Sequence, residues 1–563
     1  MAKTEDQIIL EKCNSRNAAL KLEQSSFITH WEEITRFISP RSARYLRSDR
    51  NKGEKVNQNI INETATISSR TLQSGLMAGM SSPARPWFVL SPPDPGMKEF
   101  GPVKDWLDTV TRLMRDVFTR SNIYSVLPRA YGPLGDYGTA AFGLLEDEKE
   151  VVRGYNFPVG SFKIDCSSRG NVDTLYREYS MTVRQLVETY GLENVSVAVR
   201  NLWDRSSYGS WIPVIHAVEP NFARETGKLN SRDKPFISVY YEEGADQGKA
   251  LRISGFDEFS ALAPRWAVNG EDIYGSNCPG MLALGSVKAL QLEERRKYQA
   301  LDKFVNGAVE ADAMLRNSGV DLLPGGVTWR ANMGNSPHPG VRRIEEINPN
   351  IFVVLGEDIK EVENRIRRCY YEDLMLMMAQ SDNPQMTARE VEERHQEKLL
   401  VLGPMMEQQN DDLFDPLIDR TFNIMLRRGM FPPPPKELQG QRLRVEYTSI
   451  MAQAQKLIGV AAVERFVGFV GQVAQYDPTV LDKVDLDQTV DEYGEMTGVS
   501  SKIIVPDDVV QSKREQRAKA EQAQQAMAAM PAVAQGANAV KTLGETDTAE
   551  VSSLMRLMTG GGA

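Results

Sequence analysis

Over residues 6–39 apolar side chains fall on one helical face, with Phe27, Trp31, Ile34 and Ile38 three or four apart, until Pro40 stops the pattern. That spacing predicts a helix over 6–39, packed on a domain surface. A basic stretch follows, Arg41, Arg44, Arg47, Arg50 and Lys52. It reads as a solvated or subunit-contacting loop in preference to a nucleic-acid contact. A second helix is expected over 57–80, ending in Ser81-Ser82-Pro83-Ala84-Arg85-Pro86, and then a short strand over 87–90 closed by Pro92-Pro93. A third helix covers 103–119. The run Tyr131-Gly132-Pro133-Leu134-Gly135-Asp136-Tyr137-Gly138 has neither the phosphate-loop nor the dinucleotide-binding spacing, so turns and close backbone packing are expected there.

From 140 to 259 the period changes. Strand-like runs at 151–157, 175–179, 212–218, 236–241 and 251–256 are separated by turn residues, which predicts antiparallel sheet with one helix, 183–190, inserted. After Pro279 helices dominate again. A helix over 284–305 and another over 357–380 flank a Gly/Pro-rich excursion at 319–349. The second carries Ile359, Val362, Ile366, Cys369, Tyr370, Leu374 and Met377 on one face, with Glu361/Arg365 and Glu363/Arg367 as i,i+4 pairs worth about 0.3 kcal/mol each. Ser381-Asp382-Asn383-Pro384-Gln385 breaks the helix. Thr387-Ala388-Arg389-Glu390 restarts it as a capping box, with Met386 and Val391 as its hydrophobic staple. That helix runs toward Arg428, interrupted at Gly403-Pro404, and stops before the Pro432–Pro435 tract. A strand at 443–447, helices over 452–475 and near 511–529, and a mobile Ala/Gln-rich tail complete the reading, with no internal repeat. The class is α+β.

The 563 residues exceed what one core holds, so several packed units are expected, and 41% hydrophobic with 25% charged residues suits folded domains. The longest purely apolar run is Leu374 to Ala379, and no signal peptide or membrane span is expected. Cys13, Cys166, Cys278 and Cys369 are scattered, as are His30, His216, His338 and His395. Disulfides, structural zinc and imidazole catalysis have no support in that spacing, and no cofactor is expected. A formal charge of −10 with a pI near 5.3 argues against tight neutralisation of phosphates. Asp411-Asp412 and Asp507-Asp508 are the nearest candidates for a catalytic Mg²⁺ site, and both read as helix-end or surface acids.

Three separated stretches resemble one family. Gln73-Ser74-Gly75-Leu76-Met77-Ala78-Gly79-Met80-Ser81-Ser82-Pro83-Ala84-Arg85-Pro86-Trp87-Phe88 is similar to the amino-terminal signature of portal proteins, the head-to-tail connectors of short-tailed bacteriophages. Pro264-Arg265-Trp266-Ala267-Val268-Asn269-Gly270-Glu271-Asp272-Ile273-Tyr274-Gly275 resembles a second signature. Thr387 to Lys398, with Gly403-Pro404, Arg420-Thr421-Phe422-Asn423-Ile424-Met425, the Pro432 tract and Tyr447, resembles a third. The likeness runs in order to about residue 455.

The resemblance implies a non-enzymatic subunit of a ring, usually of twelve copies, at one capsid vertex of the virion, made in the host bacterial cytoplasm. Double-stranded DNA would pass through it in packaging, retention and ejection. Terminase, tail adaptor, scaffolding and capsid proteins, and internal core proteins, are the implied partners, with no membrane. The implied parts are a wing (1–275), a first stem helix (276–308), a clip (309–355), a second stem helix (356–380), a tunnel loop (381–386), a long wing helix with return strand (387–450), a helical crown (451–530) and the tail (531–563). Ser381, Asp382, Asn383, Pro384 and Gln385 would face the channel, and Arg330, Arg342 and Arg343 are candidates for clip contacts. Twelve helices side by side at about 9 Å give a ring radius of about 17 Å and, less a helix half-width, a free radius near 12 Å, which just passes a duplex. Twelve copies carry a formal charge of about −120, twelve times the −10 of one chain, which suits a sliding contact. A DNA-cleaving enzyme and a non-channel scaffolding or minor capsid protein are the competing expectations.

Overall fold

The computed structural model describes residues 4–44, 55–94, 97, 100–225, 227–228, 230–244, 249–311, 341–343, 348–379, 402–438, 440, 443–497, 505 and 509–521. Arg47, Arg50 and Lys52, Arg330, the loop Ser381–Gln385, the capping box at Thr387 and Glu390, Asp507-Asp508 and the tail from 531 lie outside the described residues. The chain divides into two units, Met1–Leu90 with Thr109–Pro433 and Val445–Ala462, and Ser91–Asp108 with Pro434–Arg444 and Val463–Ala563.

In the first unit, Thr4 and Gln7 cap helix α1 (Glu5–Phe37) reciprocally. Of the stripe that the spacing predicts, Trp31, Ile34 and Ile38 are buried and Phe27 is half-buried, and Leu10, Cys13, Leu20 and Gln24 extend the buried side toward the amino terminus. Arg44, expected in a solvated loop, is instead tied inward, its Nη1 donating to Glu178 O at 2.5 Å beside a backbone bridge from Ala43 to Val159. Helix α2 (Thr64–Met80) starts later than expected, because the Asn62 carboxamide accepts the Thr64 N–H and Gln291 Oε1 accepts the N–H groups of Ile61 and Asn62. These side-chain acceptors satisfy donors that a longer helix would have used. Strand β1 (Phe88–Ser91) and helix α3 (Gly101–Arg120) follow.

The expected turn at 131–138 is helical. It belongs to α4 (Ile123–Tyr137), and only Gly138 leaves it, with φ 78°. The glycines serve the packing half of the expectation. A Cβ on Gly135 would lie 2.6 Å from Leu72 Cδ2, and one on Gly132 3.3 Å from Gln73 Oε1, so both let α2 and α4 approach closely.

Strands β2 (Ala141–Asp147), β3 (Val151–Phe157), β4 (Phe162–Cys166) and β5 (Val172–Thr182) lead to helices α5 (Val183–Tyr190) and α6 (Val197–Asp204). Then come β6 (Trp211–Pro220), β7 (Phe236–Glu242), β8 (Arg252–Phe256) and β9 (Ala261–Leu262). The pairing is antiparallel, in a sheet β3-β2-β9 and a sheet β4-β5-β6-β7-β8. Two helices, not one, are inserted; α6 is a short element opened by the Ser196 cap. One face of the larger sheet buries Tyr176, Ile215, Ala217, Val239 and Tyr241 against Leu10, Cys13 and Leu20 of α1.

Helix α7 (Pro279–Val305), strands β10 (Val309–Ala311) and β11 (Val341–Arg343), and helix α8 (Asn350–Cys369) come next. The helix expected over 357–380 therefore begins earlier and is broken. Tyr371 has φ 53°, and α9 (Glu372–Ala379) starts afresh. Both expected i,i+4 pairs form, Glu361 with Arg365 at 3.9 Å and Glu363 with Arg367 at 3.7 Å. Helix α10 (Gly403–Gln409), a π-turn (Asn410–Phe414) and α11 (Asp415–Arg427) run on continuously to the stop before Pro432, and β12 (Arg444–Tyr447) pairs with β1. Helix α12 (Ile450–Ala474) leads into the second unit, where α13 (Leu486–Thr497) and helical residues 509–521 are joined by Arg514, whose guanidinium reaches both oxygens of Asp487 at 2.6 and 2.7 Å.

Candidate functional site

A buried hydrogen-bond hub lies at the roots of the α7–α8 pair, beside the Tyr274-Gly275 end of the second stretch that carries the resemblance. Asp136, near the end of α4, is buried, and its carboxylate accepts hydrogen bonds from Ser39 Oγ, from Ser69 Oγ at 3.0 Å and from Tyr370 OH at 3.1 Å. Its backbone carbonyl accepts from the Cys278 thiol at 3.2 Å, at the first turn of α7. A Cβ on Gly280 would lie 2.2 Å from that same carbonyl oxygen. One acid thus ties α1, α2, α4, the start of α7 and the end of α8 together. Burial pushes its pKa up to about 6, against the three hydroxyl donors that favour the anion, and burial pushes the Cys278 thiol up to about 12.

Around this hub, Trp31 donates its indole N–H to Tyr137 O at 3.1 Å and packs edge-on to Tyr274 at 5.3 Å. Gly138 and Gly275 leave no room for side chains, since a Cβ on Gly275 would lie 2.1 Å from Gly138 O. Trp87 sits among Phe88, Phe118 and Phe414, and Phe414 meets Tyr447, whose hydroxyl donates to Asp415.

Arg265 is buried and forks onto Asp412, Nε to Oδ2 and Nη2 to Oδ1, both at 2.9 Å, while Nη2 also donates to Gly170 O at 2.8 Å. The π-turn carries Asp412. Gln409, just before it, donates to Arg265 O at 2.6 Å. Arg420, also buried, donates to Leu144 O at 2.9 Å and to Glu258; burial lowers its pKa to about 10 while Glu258 opposes that. Asp412, weighed as a metal ligand, is thereby committed to an ion pair. Among the described residues no three His, Cys, Asp or Glu side chains are grouped to hold a metal ion.

The helix pair itself is anchored at its base and bare beyond it. Gln291 Nε2 donates to Asn62 O at 2.8 Å, Asn62 Nδ2 donates to Glu294 Oε1 at 3.2 Å and to Glu363 Oε1 at 2.8 Å, and Lys288 pairs with Glu33 at 2.6 Å. Glu294 is the last buried residue of α7, and Ile359 is the first of α8. Further out, Tyr298, Leu301, Val305, Ile351, Val353 and Val354 are 45–63% exposed, and Phe304 and Phe352 close the pair edge to face at 5.5 Å. Beyond them β10 and β11 form an antiparallel ribbon that sets Arg342 opposite Glu310 and Arg343 opposite Val309. Of the three clip candidates, Arg342 and Arg343 are thus brought together on one strand. Arg330 and all five loop residues fall outside the described set. From the sequence Tyr370 reads only as one position of an apolar helix face, and Asp136 and Arg265 carry no role of their own. The available signal at Asp136 was an acid inside the apolar run Tyr131–Tyr137.

The chain matches the family described as "Bacteriophage head to tail connecting protein" over residues 10–504. It is 48% identical to the portal protein of Salmonella phage epsilon15 over 563 residues, covering 100% of both chains. It is 43% identical to the probable portal protein of Bordetella phage BPP-1 over 551 residues, covering 98% of this chain and 97% of that one.

Proposed function

Because the chain belongs to the bacteriophage head-to-tail connecting, or portal, proteins, we propose that it forms the ring channel at one capsid vertex through which double-stranded DNA is packaged, retained and ejected. The observation that carries the reading at residue level is the α7–α8 pair, whose outer half leaves Leu301, Val305, Val353 and Val354 at 45–63% exposure. Large apolar side chains clustered on a projecting pair of helices call for a partner surface. Repeated head-to-tail contact between identical subunits that closes on itself gives a ring. Twelve copies fit the side-by-side helix geometry with a free radius near 12 Å.

In this reading α7 and α8 are the stem, the β10–β11 ribbon with Arg330, Arg342 and Arg343 belongs to the clip on which terminase and then tail adaptor proteins dock, and Ser381–Gln385 form the tunnel loop. The β-rich part of the first unit is the wing, in contact with capsid and scaffolding proteins and with internal core proteins, and the carboxy-terminal helices are the crown. The protein performs no chemistry of its own; its hub and ion pairs hold helices in place, and its acidity keeps DNA from sticking. Negative-stain class averages of the purified protein test this. A closed ring with a central hole and twelvefold symmetry is expected, and a monodisperse 63.0 kDa monomer at high concentration overturns it.

A further inference from the structure

The larger sheet turns one row of side chains toward the smaller sheet. Arg177 on β5 is in register with His216 on β6, which is in register with Tyr240 on β7. Between the sheets lies a cavity of about 100 Å³, lined also by Tyr155, Phe157 and Ser260. The Arg177 guanidinium carbon lies 4.4 Å from the Phe157 ring centroid and 4.4 Å from that of Tyr179. Its faces are taken by π systems, and its hydrogen-bonding edge remains. Nε is enclosed and has no hydrogen-bond partner.

The charge balance of the cavity is one-sided. No Asp or Glu lines it among the described residues. Burial depresses the Arg177 pKa, and the groups that oppose this are tyrosines, not carboxylates. His216 offers no negative charge either. Burial holds it near pKa 3 and therefore neutral, its Nε2 is engaged with Ser238 Oγ at 2.9 Å, and its ring stacks on Tyr240 at 3.8 Å. The nearest carboxylate on β5, Glu178, points to the other face and pairs with Lys163. Arg44, close by, is a second cation, bound to a backbone carbonyl and opposed by the Glu178 carboxylate. Arg177 is half-buried, and its Nε, closed off and unpaired, is a donor that an acceptor entering the cavity would complete.

We propose that this cavity binds a carboxylate, whose two oxygens match the coplanar donors of the Arg177 edge. The space equals about three water molecules at ~30 Å³ each, enough for a carboxylate group carrying one or two further carbons and too small for a nucleotide or a sugar. The carboxylate is that of a free small acid or that of an Asp or Glu side chain from a second copy of this chain. The latter source rests on the ring assembly proposed above; the site itself does not.

The probe is sodium propionate against sodium chloride at equal ionic strength, read by thermal shift and calorimetric titration on the full-length protein, with unassembled subunit and ring separated by size. Propionate is expected to raise the melting temperature of the unassembled wild type. Arg177→Lys, which keeps the charge and loses the fork, should weaken binding at least tenfold, and Arg177→Met should abolish it. Ala261→Leu, which fills the cavity and leaves Arg177 in place, should abolish it too and covers the case in which Arg177→Met does not fold. If the propionate response disappears on assembly and Arg177→Met rings dissociate more readily, a neighbouring subunit supplies the carboxylate; if it persists in the ring, a free acid does. An equal propionate response in wild type and both cavity variants, or none in wild type with ring yield unchanged by Arg177→Met, overturns the proposal. Should no ring form at all, the response of the unassembled subunit still decides the site.

Discussion

Tyr370, at the point where α8 ends, donates its hydroxyl to Asp136 Oδ1 at 3.1 Å, across 234 positions of sequence. The next residue takes φ 53°, and α9 leaves in a new direction. A phenol that must reach a buried acid thus ends the helix that sequence periodicity would have carried through to 380. The same acid fixes the start of α7 through Cys278 and Gly280. Both roots of the proposed stem therefore rest on one residue, the end of α8 on its side chain and the start of α7 on its backbone carbonyl.

That side chain makes stability depend on pH. Burial raises Asp136 to about 6, and no cation is among its contacts, which are the hydroxyls of Ser39, Ser69 and Tyr370. A folded pKa above the ordinary carboxylate value near 4 means that the folded state favours the protonated acid. Its contribution is full below pH 4 and is lost as pH rises through about 6, a change on the order of 3 kcal/mol. Urea unfolding of wild type and Asp136→Asn across pH 4 to 7 should show the wild type losing stability relative to the variant over this window. A constant difference would show that Asp136 does not titrate there.

Gly75 on α2 faces Met375 on α9, where an added Cβ would lie 2.3 Å from the Met375 sulfur and 2.6 Å from its Cβ. The second contact cannot be relieved by rotating the end of the side chain. Gly75→Ala should therefore cost about 1–3 kcal/mol in chemical denaturation, and Gly75→Ala with Met375→Ala should be less destabilised than the sum of the two single changes. Strict additivity would mean the two residues do not press on each other.

Local pattern made the long helices and the main strands legible, because the spacing Phe27–Ile38 and the β-prone apolar runs along β3 and β6 are properties of neighbouring residues. What the pattern misread has a common cause. The glycines at 132 and 135 look like turn residues until α2 is placed against them, and Tyr370 looks like one more apolar position until Asp136 is beneath it. The π-turn that aims Asp412 at Arg265 leaves no mark in composition at all. Arg265 lay within a quoted motif, yet its role needed a partner from another segment. In such places tertiary partners, not local preference, decide the structure.

The Arg265–Asp412 pair, with side chains 3% and 5% exposed, should behave as a buried ion pair. Arg265→Met leaves a buried carboxylate and Asp412→Asn leaves a buried guanidinium short of charge, so each should cost about 3–5 kcal/mol. Arg265→Met with Asp412→Leu should recover a large part of that loss in thermal or chemical unfolding. A double variant as unstable as the two single losses combined would show that the residues act separately.

The loop Ser381-Asp382-Asn383-Pro384-Gln385 is assigned to the channel wall by the family reading, and its composition sets what it can do there. Its side chains are short and polar, with one carboxylate and no Lys or Arg, so on the proposed channel wall a contact with DNA would be steric and water-mediated, not a phosphate clamp. Downstream, Thr387 and Glu390 have the spacing of a capping box that would fix where the next helix begins. The two features separate in experiment. Deleting Asn383 and Gln385 should leave folding and ring assembly intact while impairing completion of packaging or retention of DNA. Thr387→Ala should instead cost about 1 kcal/mol of stability through loss of the cap. Phage particles carrying the deletion are scored for full-length DNA by gel after nuclease treatment, beside rings of the same variant seen by electron microscopy. Intact rings with a defect in DNA content support the channel role, and particles that package and keep full-length DNA as wild type does would remove this loop from the channel wall.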